Sequence, residues 1–311
     1  MSARHEPVLL GEVLAYLRNG PGLYLDATLG DGGHAAALLE AEPGARLLGC
    51  DRDPDALVSA GRLLRAFGPR VTLAHATFRE LPEVLARAAG EPLAGALLDL
   101  GMSSRQIDDP GRGMSFQAAG PLDLRMDRTR GVPAAARLRT ASADEIATAL
   151  RELGDVPHAR RVAGAIADAA ARGRLETTAD LVAAVERAGL ARHPRRLAQV
   201  FQALRMWIND ERGELDAVLA WLPGAVRPGG VVVTLAYHSG EDRNIKRALR
   251  GTTGQASPGR PRPPRGLPDI KGMRPPERPW DEMTHGVVTP THAETVRNPR
   301  ARSARLRAFR R

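Results

Sequence analysis

The chain has 311 residues, 43% hydrophobic and 26% charged, with 45 Lys plus Arg against 36 Asp plus Glu. That length allows a well-buried core and two domains. The single cysteine, Cys50, excludes an internal disulfide framework and any site built from several cysteines, and no apolar run reaches the roughly 20 residues of a membrane helix.

The charge is unevenly placed. Residues 240–311 hold 17 Lys plus Arg against 7 Asp plus Glu, whereas residues 1–239 hold 28 against 29. A basic C-terminal quarter attracts phosphate backbones, although a solvated tail has the same composition. Of the 45 cations 43 are arginine, a bias that reads as genome composition. Residues 1–20 lack the apolar stretch of a secretion signal, so a cytoplasmic protein is expected.

In chain order, residues 8–17 read as a helix, 23–28 as a first strand and 34–41 as a helix. Strands at 46–50, 70–75 and 94–100 alternate with helices at 54–66 and 81–89. This alternation predicts an α/β fold with a doubly wound, mostly parallel sheet. Residues 101–135 are loop-like, and 142–212 show only helical periodicity. Helices are expected at 143–152, 157–172, 178–188 and 195–221, with Ser142 and Glu145 forming a capping box. A strand is expected at 230–237 and a polar helix at 240–250. Residues 251–282, rich in Pro, Gly and Arg, read as mobile; 286–290 and 303–310 read as closing strands. The sheet domain is therefore discontinuous, 1–107 with 204–311, and 108–203 is an all-helical insertion expected to recognise substrate.

The first strand runs into a glycine-rich turn, Asp26-Ala27-Thr28-Leu29-Gly30-Asp31-Gly32-Gly33-His34, and the second ends in Asp51. Strand, tight turn, helix and a distant carboxylate are the parts of a nucleotide-cofactor site. Gly30, Gly32 and Ala35 satisfy G-x-G-x-x-G/A, which leaves NAD open. Asp26 ahead of the glycines and Asp99 at the end of strand four favour S-adenosyl-L-methionine. Three carboxylates suit a sulfonium and an ammonium, and suit a pyrophosphate poorly.

The loops carry a more specific signal. HEPVLL (5–10), DATLGDGGH (26–34), LLDLGMSSRQIDDPGRGMSF (97–116), GPLDLRMD (120–127), FQALRMWIN (201–209), HSGEDRNIKR (238–247) and NPRARSARLR (298–307) occur in this order. Together they resemble the bacterial ribosomal-RNA small-subunit methyltransferase H family, from about residue 5 to 307. The resemblance implies a Rossmann-like, class I adenosylmethionine-dependent fold. It also implies methylation of the exocyclic N4 of a cytosine in 16S rRNA of the small ribosomal subunit. No membrane partner is expected from the apolar pattern, and the sequence leaves monomer or homodimer open. Gly32, Gly33 and His34 would line the methionine end, Asp51 would take the ribose and Phe78 would flank adenine. Asp99 and Gln106 would close the site. Two positions depart from the family pattern: Gly240 replaces a leucine, and Tyr237 stands where Phe is common. The stretch 193–200 reads as two residues longer than in some members.

Carbon-5 methylation of cytosine needs a cysteine nucleophile. Cys50, at the end of strand two, reads as a small core residue instead. Transfer to N4 needs acceptors that orient the amine, expected in the loop Asp99 to Ser104, with Asp99, Ser103 and Ser104 as candidates. The serines could equally cap the loop. Phe116 and Met114 are candidate surfaces for an extruded base, with packing of the insertion as the alternative. Arg112, Arg125, Arg205 and Arg243 are candidate phosphate contacts, with internal ion pairs as the alternative, and His238 is expected to face the substrate. The eight histidines show no close metal-ligand pair, and no G-x-S-x-G supports a hydrolase. Competing readings are an amino methyltransferase for DNA or another RNA, a non-catalytic rRNA-binding assembly factor, and an NAD-dependent dehydrogenase.

Overall fold

The computed structural model describes residues 7–88, 90–190, 194–250 and 280–311. Most of the segment read as mobile, 251–279, lies outside the described residues, as do His5 and His193.

Helix α1 (Leu10–Leu17) leads into β1 (Gly22–Asp26), then α2 (Gly33–Ala41), β2 (Ala45–Asp51), α3 (Pro54–Leu64), β3 (Val71–His75), α4 (Leu81–Ala88) and β4 (Leu93–Asp99). The chain continues through α5 (Ser104–Asp108), α6 (Ala134–Thr140), α7 (Ala143–Gly154), α8 (Ala159–Ala171), α9 (Thr178–Arg187), α10 (Pro194–Ile208) and α11 (Glu211–Ala225). It closes with β5 (Val226–Ala236), α12 (Ser239–Arg250), β6 (Asp281–Glu282), α13 (His292–Arg297) and β7 (Arg305–Arg310). The chain divides into two compact units, one of Met1–Cys50, Ser59–Leu100 and Asp216–Arg311, the other of Asp51–Val58 and Gly101–Leu215.

The first unit is built on a seven-stranded sheet of order β3-β2-β1-β4-β5-β7-β6. Strands β2, β1, β4 and β5 pair in parallel, and β7 runs antiparallel to β5 and β6. Six of the seven residues of β4 are buried, as expected for a parallel strand covered on both faces. This is the doubly wound, mostly parallel α/β sheet expected from the alternating pattern. The chain steps outward from β1 to β2 and β3, then returns to lay β4 on the other side of β1. That reversal makes the C-terminal ends of β1 and β4 the crevice where such sheets bind ligands. Register places Asp26 opposite Leu97, two residues before Asp99, and places Asp99 opposite Leu235 of β5.

The second unit is mostly helical. Its apolar core joins Leu138, Ile146, Leu150, Val162, Ile166, Leu181, Phe201 and Leu204, so α7 packs on α8 and α10 along i, i+4 rows. The expected capping box is present: the Ser142 side chain accepts from the Glu145 N–H while Glu145 reaches back to the Ser142 N–H.

Five expectations are corrected. The single helix expected over 195–221 is two helices, because Asp210 takes a left-handed φ of 46° and ends the ladder. Asn209, buried at the break, accepts from the Met126 N–H (2.8 Å) and donates to the Leu124 carbonyl (2.7 Å). A strand over 286–290 does not form; only Val288 bridges Leu306. The loop read over 101–135 contains α5 and the start of α6, and α13 was unforeseen. Residues 280–282, read as part of the mobile segment, place Trp280 in the core and supply β6. Strand β5 begins at Val226, earlier than the expected 230, with a register shift against β4.

Candidate active site

In the sheet unit, the glycine-rich turn crosses from β1 to α2 with Gly30 and Gly32 at φ of 52° and 82°. Those left-handed values favour glycine. A Cβ on Gly32 would also meet the Cβ of Ala60 at 3.2 Å. Asp26, buried at the end of β1, accepts from the Thr28 N–H at 3.2 Å, which curls the chain into the turn.

Asp99 is held from three elements. Its N–H donates to the Thr28 hydroxyl at 2.6 Å. Its Oδ1 accepts from the Tyr237 hydroxyl at 2.9 Å, just past the end of β5. Its Oδ2 lies 3.9 Å from His34 Nδ1 on α2. Burial first, and the Asp99 carboxylate second, push the Tyr237 hydroxyl far above its usual range. The phenol therefore stays protonated and donates. His34 Nε2 faces the Val8 carbonyl at 2.9 Å; a carbonyl only accepts, so that nitrogen carries the hydrogen. In the neutral ring Nδ1 is then an acceptor beside Asp99. The segment presenting Val8 is itself pinned, since the Leu9 N–H donates to the buried Glu294 of α13 at 2.7 Å.

Beyond Tyr237, the His238 Nε2 lies 3.0 Å from Glu241 Oε1, and the second Glu241 oxygen accepts from the Tyr237 N–H at 3.0 Å. His238 is thus tied to the start of α12. Phe78 is half-buried in a 3-10 turn after β3, capped by Thr77 and Glu80.

The second unit holds a separate polar cluster in the turn after β2. The Asp53 N–H donates to Asp51 Oδ1 at 2.8 Å, fixing the Asp51 side chain. Asp53 is 1% exposed and takes the Arg112 guanidinium at 2.9 and 3.1 Å, plus the Gln106 amide at 3.0 Å. Arg112 is buried too and also binds Asp55 (2.6 Å) and the Met126 carbonyl (3.1 Å). The Ser103 hydroxyl caps α5 in a capping box with Gln106, while Ser104 is its first residue. Gln106 is therefore engaged at both ends of its amide.

Three of the four arginines read as phosphate contacts are ion-paired. Arg112 belongs to the Asp53 cluster, Arg205 is bidentate on Glu211 (2.7 and 2.9 Å), and Arg125 is bidentate on Asp123 (2.7 and 2.9 Å). Arg243 alone of the four is exposed. Met114 is buried, and Phe116 packs edge-to-face on Phe201 with centroids 5.7 Å apart. The packing alternative fits both. Thr28, Asp53, Tyr237 and Glu294 were not foreseen as site residues. Thr28 lay inside a motif already read, and Tyr237 was noted only as a departure from Phe.

The sheet-edge groups suit a sulfonium cofactor. Asp26 and Asp99 offer carboxylate acceptors to positive charge, with the His34 ring beside Asp99. The first N–H groups of α2 have no intrahelical partner and suit a carboxylate.

Comparison with known proteins agrees. The model of the MraW methylase family matches residues 2–311. A ribosomal RNA small subunit methyltransferase H of Sorangium cellulosum is 43% identical, with 99% of this chain and 91% of that protein covered. Proteins of the same name from Halorhodospira halophila (45%, covering 97% and 93%) and Thermomicrobium roseum (42%, covering 99% and 94%) are equally close in length. The chain belongs to the MraW methylase family and is an rRNA methyltransferase that uses S-adenosyl-L-methionine.

Proposed function

We propose that this enzyme methylates the exocyclic N4 of a cytidine in 16S rRNA of the small ribosomal subunit, in the cytoplasm. The observation that carries the reading is Asp99, whose backbone N–H is held by the Thr28 hydroxyl and whose carboxylate accepts from the Tyr237 hydroxyl. The N4 lone pair is delocalised into the ring, so the amine is a poor nucleophile. A fixed acceptor on one of its hydrogens favours a tetrahedral nitrogen and aims the lone pair. Asp99 is that acceptor, and its carboxylate would stabilise the positive charge that gathers on N4 as the methyl group arrives and take up the N4 proton that must leave. S-Adenosyl-L-methionine, when bound, supplies an electrophilic methyl group.

Asp26, Gly32, Gly33 and His34 hold the methionine end, Asp51 the ribose and Phe78 the adenine. Gln106 acts by keeping Asp53 and Ser103 in place, and Ser103 acts as a cap. Ser104 stays a candidate second acceptor. The helical insertion, 108–203, recognises the RNA. Carbon-5 chemistry is disfavoured because Cys50 is fully buried in β2. The product tests the proposal. Undermethylated small subunits, incubated with enzyme and labelled adenosylmethionine and digested to nucleosides, should yield labelled N4-methylcytidine by mass spectrometry. Labelled C5-methylcytidine, or no label in any ribosomal particle, would overturn it.

A further inference from the structure

Helix α12 separates its charges by face. It reads SGEDRNIKRALR, two acids and four cations, which on paper is a mildly basic surface helix. The fold turns both acids away from solvent. Glu241 is buried and holds the Tyr237 N–H and His238. Asp242 is bidentate on Arg307 of β7, at 2.6 and 3.2 Å. Ile245 and Leu249 follow Glu241 at i+4 spacing on the buried face. Arg250 pairs with Glu282, which also takes Arg307.

What remains outward is Arg243, Lys246 and Arg247, all exposed, with Ala248 beside them. They stand at i, i+3 and i+4, the spacing of neighbours on one helix face. Neither Arg243 nor Lys246 has an ion pair among the described residues, and Arg247 has only the neutral Asn244 amide, at 3.1 Å. Had Asp242 faced out, i, i+4 pairing with Lys246 would have offset one charge of this stripe. The fold instead uses both acids internally.

The position of the stripe matters as much as its sign. α12 starts two residues after Tyr237, whose hydroxyl holds Asp99. Arg243 to Arg247 then spans about 6 Å along the helix axis, leading away from that contact. There is no aromatic residue on α12 to stack a base. Three cations on long stems without a stacking platform match a polyanion's backbone and carry no base readout.

We propose that the α12 stripe, Arg243, Lys246 and Arg247, binds the phosphates of the substrate RNA strand adjoining the nucleotide at Asp99. This rests on the reading of Asp99 as the substrate-facing group. It adds a sequence-independent contact in the sheet unit, separate from the helical insertion.

The test compares two triple variants. Arg243→Ala/Lys246→Ala/Arg247→Ala removes the stripe. Arg62→Ala/Arg65→Ala/Arg87→Ala removes three exposed arginines from α3, the turn after it, and α4, matching the loss of net charge. Binding to undermethylated small subunits is measured against salt, with thermal unfolding and adenosylmethionine binding of both variants as controls for folding. The stripe variant should raise KM for the particle about tenfold or more and flatten the log K against log salt slope by about 2, that is ~0.7 for each of three lost contacts. The α3–α4 variant should keep the wild-type slope, KM and turnover. Equal slopes in the two variants, or wild-type binding with no salt dependence, would overturn the proposal. The nucleoside product is identified separately. A product other than N4-methylcytidine refutes the proposed reaction, while the slope comparison still decides the stripe.

Discussion

Asp53 and Asp99 both sit at or just past the end of a strand, and both are gripped by several hydrogen bonds, yet their partners differ in kind. Asp53 is 1% exposed and faces a guanidinium, a side-chain amide and the Asp55 N–H. The Asp99 side chain is 24% exposed and accepts from a phenol, with a threonine hydroxyl on its amide. A guanidinium cancels the charge it holds, so Asp53 and Arg112 together are a rivet for the turn carrying Asp51. A phenol hydroxyl orients a carboxylate and does not cancel its charge. On the proposed reading, the contrast gives structure to one acid and chemistry to the other.

The largest effect expected is on Arg112. Arg112→Met leaves a buried Asp53 without its cation, which should cost about 3–5 kcal/mol in urea unfolding. A loss below about 1 kcal/mol would remove the distinction. Asn209 sharpens it, because its three hydrogen bonds in the same unit are all to neutral backbone groups, buried like Arg112's. Asn209→Ala should cost less, about 1–3 kcal/mol. If it cost more than Arg112→Met, the number of bonds would matter more than charge.

On the Asp99 side stability should hardly move while rate does. Tyr237→Phe deletes one hydrogen bond to a carboxylate and keeps the ring. Methyl transfer should slow about tenfold, with the unfolding midpoint nearly unchanged. A destabilised protein with wild-type turnover would make Tyr237 a packing residue. The smallest effect is expected for Ser103→Ala, about 1 kcal/mol by unfolding, from loss of the α5 cap.

The parallel sheet was legible because its strands and helices write their own periods locally. So was the turn from Asp26 to His34, where three glycines and two carboxylates lie within nine residues. The capping boxes at Ser103 and the Thr291–Glu294 cap were written just as plainly, and α5 and α13 could have been read from them. Partner choice was not legible. Tyr237 meets Asp99 across 138 residues, and Arg112 meets Asp53 across 59. No local pattern tells an arginine that will be buried in an ion pair from one that will stand in solvent. Arg112 and Arg243 look alike in sequence, and only the direction in which α12 turns its acids separates them. The break at Asn209-Asp210 was hidden for a similar reason. Its apolar period continues through the bend, and the side-chain bonds to Leu124 and Met126 that fix it come from another segment.

Asp99→Asn tests the central claim most directly. The substitution keeps the size of the side chain and an oxygen for Tyr237, and removes the charge. In single-turnover methyl transfer to undermethylated small subunits at saturating adenosylmethionine, the rate should fall about 100-fold or more. A rate within about threefold of wild type would contradict the account and leave Asp99 as a structural residue at the sheet edge.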